Sequence, residues 1–272
     1  MALRPRDMAL RAASAAVLAP AAVLATWAGG YWFLGLVVLA SILLAVEWAM
    51  MSAHGAWRAM ASIIAIVLIA AIVTTYLGRL PVGLGLLLAG VVLAGLAARM
   101  RGLQALNTAY GVLYLGWPVV LLIWLRDGHD PIGLHWTVFV FAVAWASDIM
   151  AYIIGSAVGG PKLWPRFSPN KTWSGFLGGL VAGMIAGGAM AAWLDLGQLT
   201  VFWGIGLGLA AALATMAGDL WESALKRRFG VKDAGNLIPG HGGLLDRVDG
   251  LMFAVVVVAA GRLLVLFLEG AI

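Results

Sequence analysis

Asp219 is followed in the sequence by Glu222, Ser223 and Lys226, at offsets of three, four and seven. On a helical backbone all four lie on one face. Asp246 and Asp249 stand three apart, so a helix carrying them also presents both on one side. Between the two sets runs NLIPGHGG, whose glycines and proline require the chain to turn back. A return connection of that kind brings Asp219 close to Asp246 and Asp249 and makes an oxygen-rich cluster. Oxygen ligands suit Mg2+, which usually binds through one or two carboxylates together with substrate phosphates. Lys226, Arg227, Arg228, Lys232 and Arg247 surround the acids and suit the phosphates, and the PGHGG turn can offer backbone N–H groups. Acids for a metal beside bases for phosphate are what phosphoryl or nucleotidyl transfer needs, because that chemistry is mostly positioning and charge neutralisation. A plainer reading, topogenic charges in surface ion pairs, is also open. Adjacent Arg227 and Arg228 fit it well, since they cannot both face the acids; the clustered acids and glycines fit it poorly.

Asp148, in WASDIMAY, is a second candidate. It lies about two-thirds of the way along an apolar run, where an acid costs roughly 2.5–3.5 kcal/mol to insert and normally faces the protein interior. Tyr152 follows one turn later on the same side. Either a polar lock between helices or a site acid accounts for this pattern. The next connection, GGPKLWPRFSPNKTWSG, opens another apolar run. A helix N-terminus there, with Ser168, Lys171 and Thr172, can receive an anion, although positive-inside bias alone would also supply its bases. His241, between glycines, is suited to donating to a phosphate or acting as an acid, or to a backbone hydrogen bond within the turn. His54, His129 and His135 are expected in connections and point to no chemistry.

The elements that must position these side chains are membrane helices. Of the 272 residues, 63% are hydrophobic and 11% charged, where soluble domains carry about 25% charged residues. Without cysteine there is no disulfide framework, thiolate metal site or cysteine nucleophile. A net charge of +5 is explained by basic loops of a polytopic membrane protein rather than by nucleic-acid binding. With about 20 apolar residues per crossing, nine spans are expected, near 10–28, 31–51, 61–78, 82–98, 107–125, 135–157, 173–193, 199–219 and 248–268. Their short connections imply one domain, 1–272. Arg4, Arg6 and Arg11 before the first run imitate a secretory signal peptide, but a second run begins at Tyr31 with no polar region between, so the first is read as a retained helix.

With the N-terminus in the cytoplasm, fourteen of the seventeen Lys and Arg residues fall on the cytoplasmic side. Only Arg79 and Arg126 fall outside, while Arg262 lies within the last span. The bias sets the orientation and puts the C-terminus outside, with the segments 158–172 and 220–247 facing the cytoplasm. Gly179, Gly183 and Gly187 recur every four residues as a small-residue ridge for close helix packing. Trp27, Trp32, Trp117, Trp136 and Trp203 lie near span ends, as interfacial anchors do.

The stretch SALKRRFGVKDAGNLIPGHGGLLDRVD, from Ser223 to Asp249, resembles the signature of the phosphatidate cytidylyltransferases, also called CDP-diacylglycerol synthases. That pattern runs Ser, Lys-Arg, Lys-Asp, Pro-x-His-Gly-Gly and Asp-Arg-x-Asp at fixed spacing, and every element is present. WASDIMAYIIGSAVGG, SPNKTWSGFLGG and the pair Glu47-Trp48 are similar to companion segments of the family. The resemblance covers the whole chain in length and hydropathy and is most specific in residues 145–179 and 217–250. Asn170 departs from it, since the family usually has a lysine there, and this removes one positive charge from that connection.

The resemblance implies that CTP and phosphatidate become CDP-diacylglycerol and pyrophosphate, at the head of phospholipid synthesis. It also implies Mg2+, allows a second cation, and implies an all-α integral-membrane homodimer of the cytoplasmic membrane. In that frame Asp219 and Asp246 hold Mg2+, with Asp249 as a further ligand or support. Lys226, Arg227, Lys232 and His241 hold phosphate or the departing pyrophosphate, with Asp233 in the catalytic run. Substrate contacts are expected at Asp148, Tyr152, Ser168, Lys171, Thr172, Ser223, Gly242, Gly243 and Arg247. One rival is a CTP-dependent polyprenol or phytol kinase, whose alcohol acceptor needs a base. Another is a transporter, for which internal repeats and paired broken helices are expected; the sequence has no such repeat.

Overall fold

In the computed structural model, residues 20–126, 131–235 and 242–271 are described. Residues 20–28 are helical (α1). Eight long helices follow: α2 (Gly30–Ser52), α3 (Trp57–Tyr76), α4 (Leu80–Met100), α5 (Ala105–Leu125), α6 (Pro131–Val158), α7 (Trp173–Trp193), α8 (Val201–Arg228) and α9 (Leu245–Leu268). All eight are long and apolar enough to cross a membrane, so the chain is an all-α polytopic membrane protein. They coincide with eight of the expected spans; of the first, 10–28, residues 10–19 lie outside the described residues and 20–28 form α1.

Three local differences from the sequence expectations bear on the site. Helix α8 continues to Arg228 rather than stopping near 219. The run DLWESALKRR sustains it through a Glu222–Lys226 pair at i,i+4, with the ammonium 2.5 Å from the carboxylate. Lys226, Arg227 and Arg228 in the last turn face the negative end of the helix dipole, and Gly230 at φ +73° turns the chain away. Second, the connection before α7 is a hairpin. Strands β1 (Lys162–Trp164) and β2 (Ser168–Thr172) pair antiparallel, Lys162 opposite Thr172 and Trp164 opposite Ser168. Third, α6 begins early enough to include His135, whose Nδ1 lies 2.8 Å from the Asp195 carbonyl oxygen. That histidine belongs to a helix rather than a connection.

The chain forms two compact units, Met1–Trp124 with Phe229–Arg247, and Leu125–Arg228 with Val248–Ile272. The core of the first is built around Trp48, which is fully buried. Its indole N–H donates to the Asn107 carbonyl at 3.0 Å. Its ring meets Tyr110, Tyr114 and, edge-on, Phe229, with centroids 5.3–5.8 Å apart. In the second unit α7 packs on both α6 and α8. The glycine ridge is the reason: a Cβ at Gly187 would meet the Gly204 carbonyl and the Gly208 Cα, and one at Gly183 would meet Ala212. Helix backbones approach that closely only where side chains are missing.

Side chains directed away from the packed faces are large and apolar, Leu88, Leu96, Ile149, Val181 and Phe267 among them, as lipid contact requires. Several hydroxyls inside the helices are satisfied locally. Ser41, Thr75, Thr137 and Thr215 each donate to the carbonyl four residues earlier at 2.7–2.9 Å. Trp27, Trp32 and Trp203 are well exposed near helix ends, as anchors should be, but Trp136 is 1% exposed. It faces inward on α6 beside Phe139, with ring centroids 6.1 Å apart, and is a core residue rather than an anchor.

Candidate active site

In the second unit, α6, the hairpin, α7 and α8 enclose a cavity of about 480 Å³. From α6 come Asp148, Tyr152, Gly155 and Ser156; from the hairpin Lys162, Asn170, Lys171 and Thr172; from α8 Met216 and Asp219. Asp148 and Tyr152 sit one helical turn apart and both line this space. The Lys171 ammonium is ion-paired with the Asp219 carboxylate, and Asp148 lies within electrostatic reach of both. Close backbones make the floor. A Cβ at Gly175 would stand 2.6 Å from the Ala151 carbonyl and 3.1 Å from the Gly155 Cα, so only glycine lets α6 and α7 meet there.

Local chemistry fixes the hairpin end of the cavity. Thr172 is the N-cap of α7, its hydroxyl accepting from the Gly175 N–H at 3.2 Å. Ser174 donates to the Gly159 carbonyl at 2.5 Å. The Thr172 hydroxyl expected to meet substrate therefore holds the helix start, with Lys171 placed just before it. Ser168 lies at the far end of the hairpin, opposite Trp164, and does not line the cavity. Lys162 does; sequence reading gave it no role beyond topology, and the hairpin pairing that turns it inward is its only signal.

Further along α8, Glu222 is buried and paired with Lys226, so this expected phosphate cation is carried on a carboxylate. Ser223 is half-buried on the same helix, and Arg227 is exposed. On α9, Asp249 accepts from the Gly250 N–H at 2.8 Å and lies within electrostatic reach of Asp219, Glu222 and Asp148. Four carboxyl groups, Asp148, Asp219, Glu222 and Asp249, thus gather in this unit, with Lys171 and Lys226 paired to two of them, a setting in which a further cation is favoured. Among the described residues no three His, Cys, Asp or Glu side chains form a ready-made metal cage. Mg2+ does not need one, because it retains waters and shares its ligands with substrate phosphates. The acid set fits Mg2+ in charge and donor type.

The first unit holds the other expected residues. Both Asp246 oxygens face backbone donors: the Ala234 N–H at 3.1 Å and the Gly243 N–H at 3.0 Å share Oδ2, with Ala234 also 3.3 Å from Oδ1. Lys232, Asp233 and Arg247 are exposed. Gly242 has φ +84°, a conformation that favours glycine. A Cβ at Gly243 would stand 2.9 Å from both Asp246 Oδ2 and the Gly235 nitrogen. His241 lies outside the described residues.

Glu47 was noticed in the sequence only as part of the resemblance. It is fully buried in α2. Its Oε1 accepts from the Leu244 N–H at 2.8 Å and its Oε2 from the Leu245 N–H at 2.7 Å, so one carboxylate caps the start of α9. An acid inside an apolar span was the available signal.

A family model described as the cytidylyltransferase family matches residues 9–265. The chain is 40% identical over 272 residues to the phosphatidate cytidylyltransferase of Brucella abortus (strain 9-941), covering 96% of this chain and 93% of that one. The Brucella suis biovar 1 (strain 1330) phosphatidate cytidylyltransferase gives the same figures. The phosphatidate cytidylyltransferase of Staphylococcus aureus (strain COL) is 46% identical over 123 residues, 45% of this chain and 47% of that one.

Proposed function

Given that the chain belongs to the cytidylyltransferase family, we propose that it joins CTP and phosphatidate into CDP-diacylglycerol and pyrophosphate at the cavity where Lys171 meets Asp219. It is a nucleotidyltransferase. The observation that carries the site assignment is this cavity: two lysines on the hairpin, one of them ion-paired with Asp219, facing two acids on membrane helices. A lipid phosphate can reach such a place from the bilayer, and a nucleotide from the adjoining solution.

An oxygen of the phosphatidate phosphate attacks the α-phosphorus of CTP in line. A new P–O bond forms, the bond to the β-phosphate breaks, and pyrophosphate leaves with the electron pair. No strong base is needed, because a phosphate monoester is already ionised near neutral pH. Asp219 and Asp246, with Asp249, are the carboxylates we assign to Mg2+, which supplies charge neutralisation at the CTP phosphates when bound. Lys162 and Lys171 hold the attacking phosphate beside Asp148 and Tyr152. Lys226, Arg227, Lys232 and His241 serve the nucleotide phosphates and the departing pyrophosphate.

The same reading has nine spans, an N-terminus and active site facing the cytoplasm, a C-terminus outside, a homodimer in the cytoplasmic membrane, and room for a second cation. The cation bias of the connections supports the orientation. Purified protein given phosphatidate, Mg2+ and CTP labelled at either the α- or the γ-phosphate tests the reaction. Label from the α position should enter lipid, and γ-label should appear in pyrophosphate. Lipid carrying only γ-label would mean a kinase and would overturn the reading.

A further inference from the structure

Glu47 sits in α2, among helices that hold no other residue assigned to the reaction. Yet both its oxygens are committed to the backbone 197 and 198 residues later, at the Leu244 and Leu245 N–H groups. Those N–H groups open α9, and a helix start buried without acceptors is costly. The next residue is Asp246, whose carboxylate holds the Ala234 and Gly243 N–H groups. Gly235 and Gly243 close the arrangement, because a Cβ on either would stand 2.9–3.0 Å from Glu47 Oε1. Two carboxylates and two glycines thereby fix the chain on both sides of residues 236–241.

We propose that Glu47 is a positioning residue for cytidylyl transfer: by accepting the Leu244 and Leu245 N–H groups it sets the start of α9 and so the place of Asp246. The inference rests on the assignment of Asp246 to the reaction. It depends on two acceptor oxygens in one side chain. An amide keeps one acceptor and turns an NH2 group toward the second N–H, whereas aspartate keeps both acceptors on a shorter stem.

The test compares wild type, Glu47→Gln, Glu47→Asp and Gly235→Ala in the α-labelled CTP assay with Mg2+ titration, alongside thermal unfolding of each purified protein. Glu47→Gln should lower kcat by at least about tenfold and raise the Mg2+ concentration for half-maximal rate, as loss of a group supporting a site carboxylate does. Glu47→Asp should recover part of kcat, and Gly235→Ala should show a smaller loss of the same kind. A purely structural Glu47 would lower the unfolding temperature and leave kcat per folded molecule within about twofold; that result overturns the proposal, as does aspartate performing no better than glutamine. If Glu47→Gln does not fold, Gly235→Ala decides in its place, an unchanged kcat in folded protein being the overturning result. Wild type that transfers no α-label fails the functional reading itself, whereas active wild type with an indifferent Glu47 fails only this inference.

Discussion

The ammonium of Lys171, carried at the end of the β1–β2 hairpin, is ion-paired with the carboxylate of Asp219 on α8. Asp219 is also a carboxylate we assign to Mg2+, so the lysine and the metal have a claim on the same oxygens. Once a metal is held there, Lys171 is the neighbouring cation best placed to turn toward a phosphate.

Replacing Lys171 by Met separates these roles. Removing a charged hydrogen-bond partner worth about 1.5–3 kcal/mol predicts a loss of roughly 10- to 100-fold in kcat/KM. Mn2+ binding, read by electron paramagnetic resonance as a substitute for Mg2+, should be as tight as in wild type or tighter. Weaker Mn2+ binding would mean that the lysine does not compete for Asp219.

Chelation should abolish lipid labelling, and added Mg2+ should restore it. The same metal should raise the unfolding temperature of the wild type, since a ligand at about 100 times its Kd stabilises by about 2.7 kcal/mol. Asp219→Asn should lose that increment while remaining folded. An equal Mg2+ shift in both proteins would place the ion elsewhere.

Thr172→Val removes the cap of α7. A lost cap costs about 1 kcal/mol, which in a chain of this size lowers the unfolding temperature by about 2–4 °C. Because Lys171 is the adjacent residue, KM for phosphatidate should rise as well. Calorimetry and the labelling assay check the two parts separately.

The absence of cysteine makes orientation easy to measure. Lys232→Cys and Thr200→Cys place single thiols at exposed positions in the α8–α9 and α7–α8 connections. A membrane-impermeant maleimide should label the first only in inverted vesicles and the second only in intact cells. The opposite pattern would reverse the topology and remove the site from cytoplasmic CTP.

How much of this was legible beforehand depended on where the partners of each residue lie. Apolar runs of about 20 residues announce membrane helices directly, whereas the offsets from Asp219 to Lys226 only said that those residues share a face if α8 continues. The hairpin was hidden because KLW and SPNKT are only three and five residues long, SPNKT carries a proline, and neither shows the alternation that marks a strand. Trp136 misled because nearness to a span end does not say which way a ring points. Glu47 was the hardest to place, since its partners are backbone N–H groups and backbone donors leave no trace in residue identity. Asp148 showed the opposite case: an acid in an oily run advertises a polar surrounding without saying what that surrounding is.

The seam between α7 and α8 has a consequence for the chemistry at its end. There Gly183 and Gly187 lie against Gly204, Gly208 and Ala212 with nothing to compress or slide. Lys171 stands one residue before the N-cap of one of these helices, and Asp219 rides on the other. The oily half of the molecule therefore acts as a ruler for its charged end. One methyl group added many residues away, among atoms that never meet a nucleotide, would be read out as a change in the gap between an ammonium and a carboxylate.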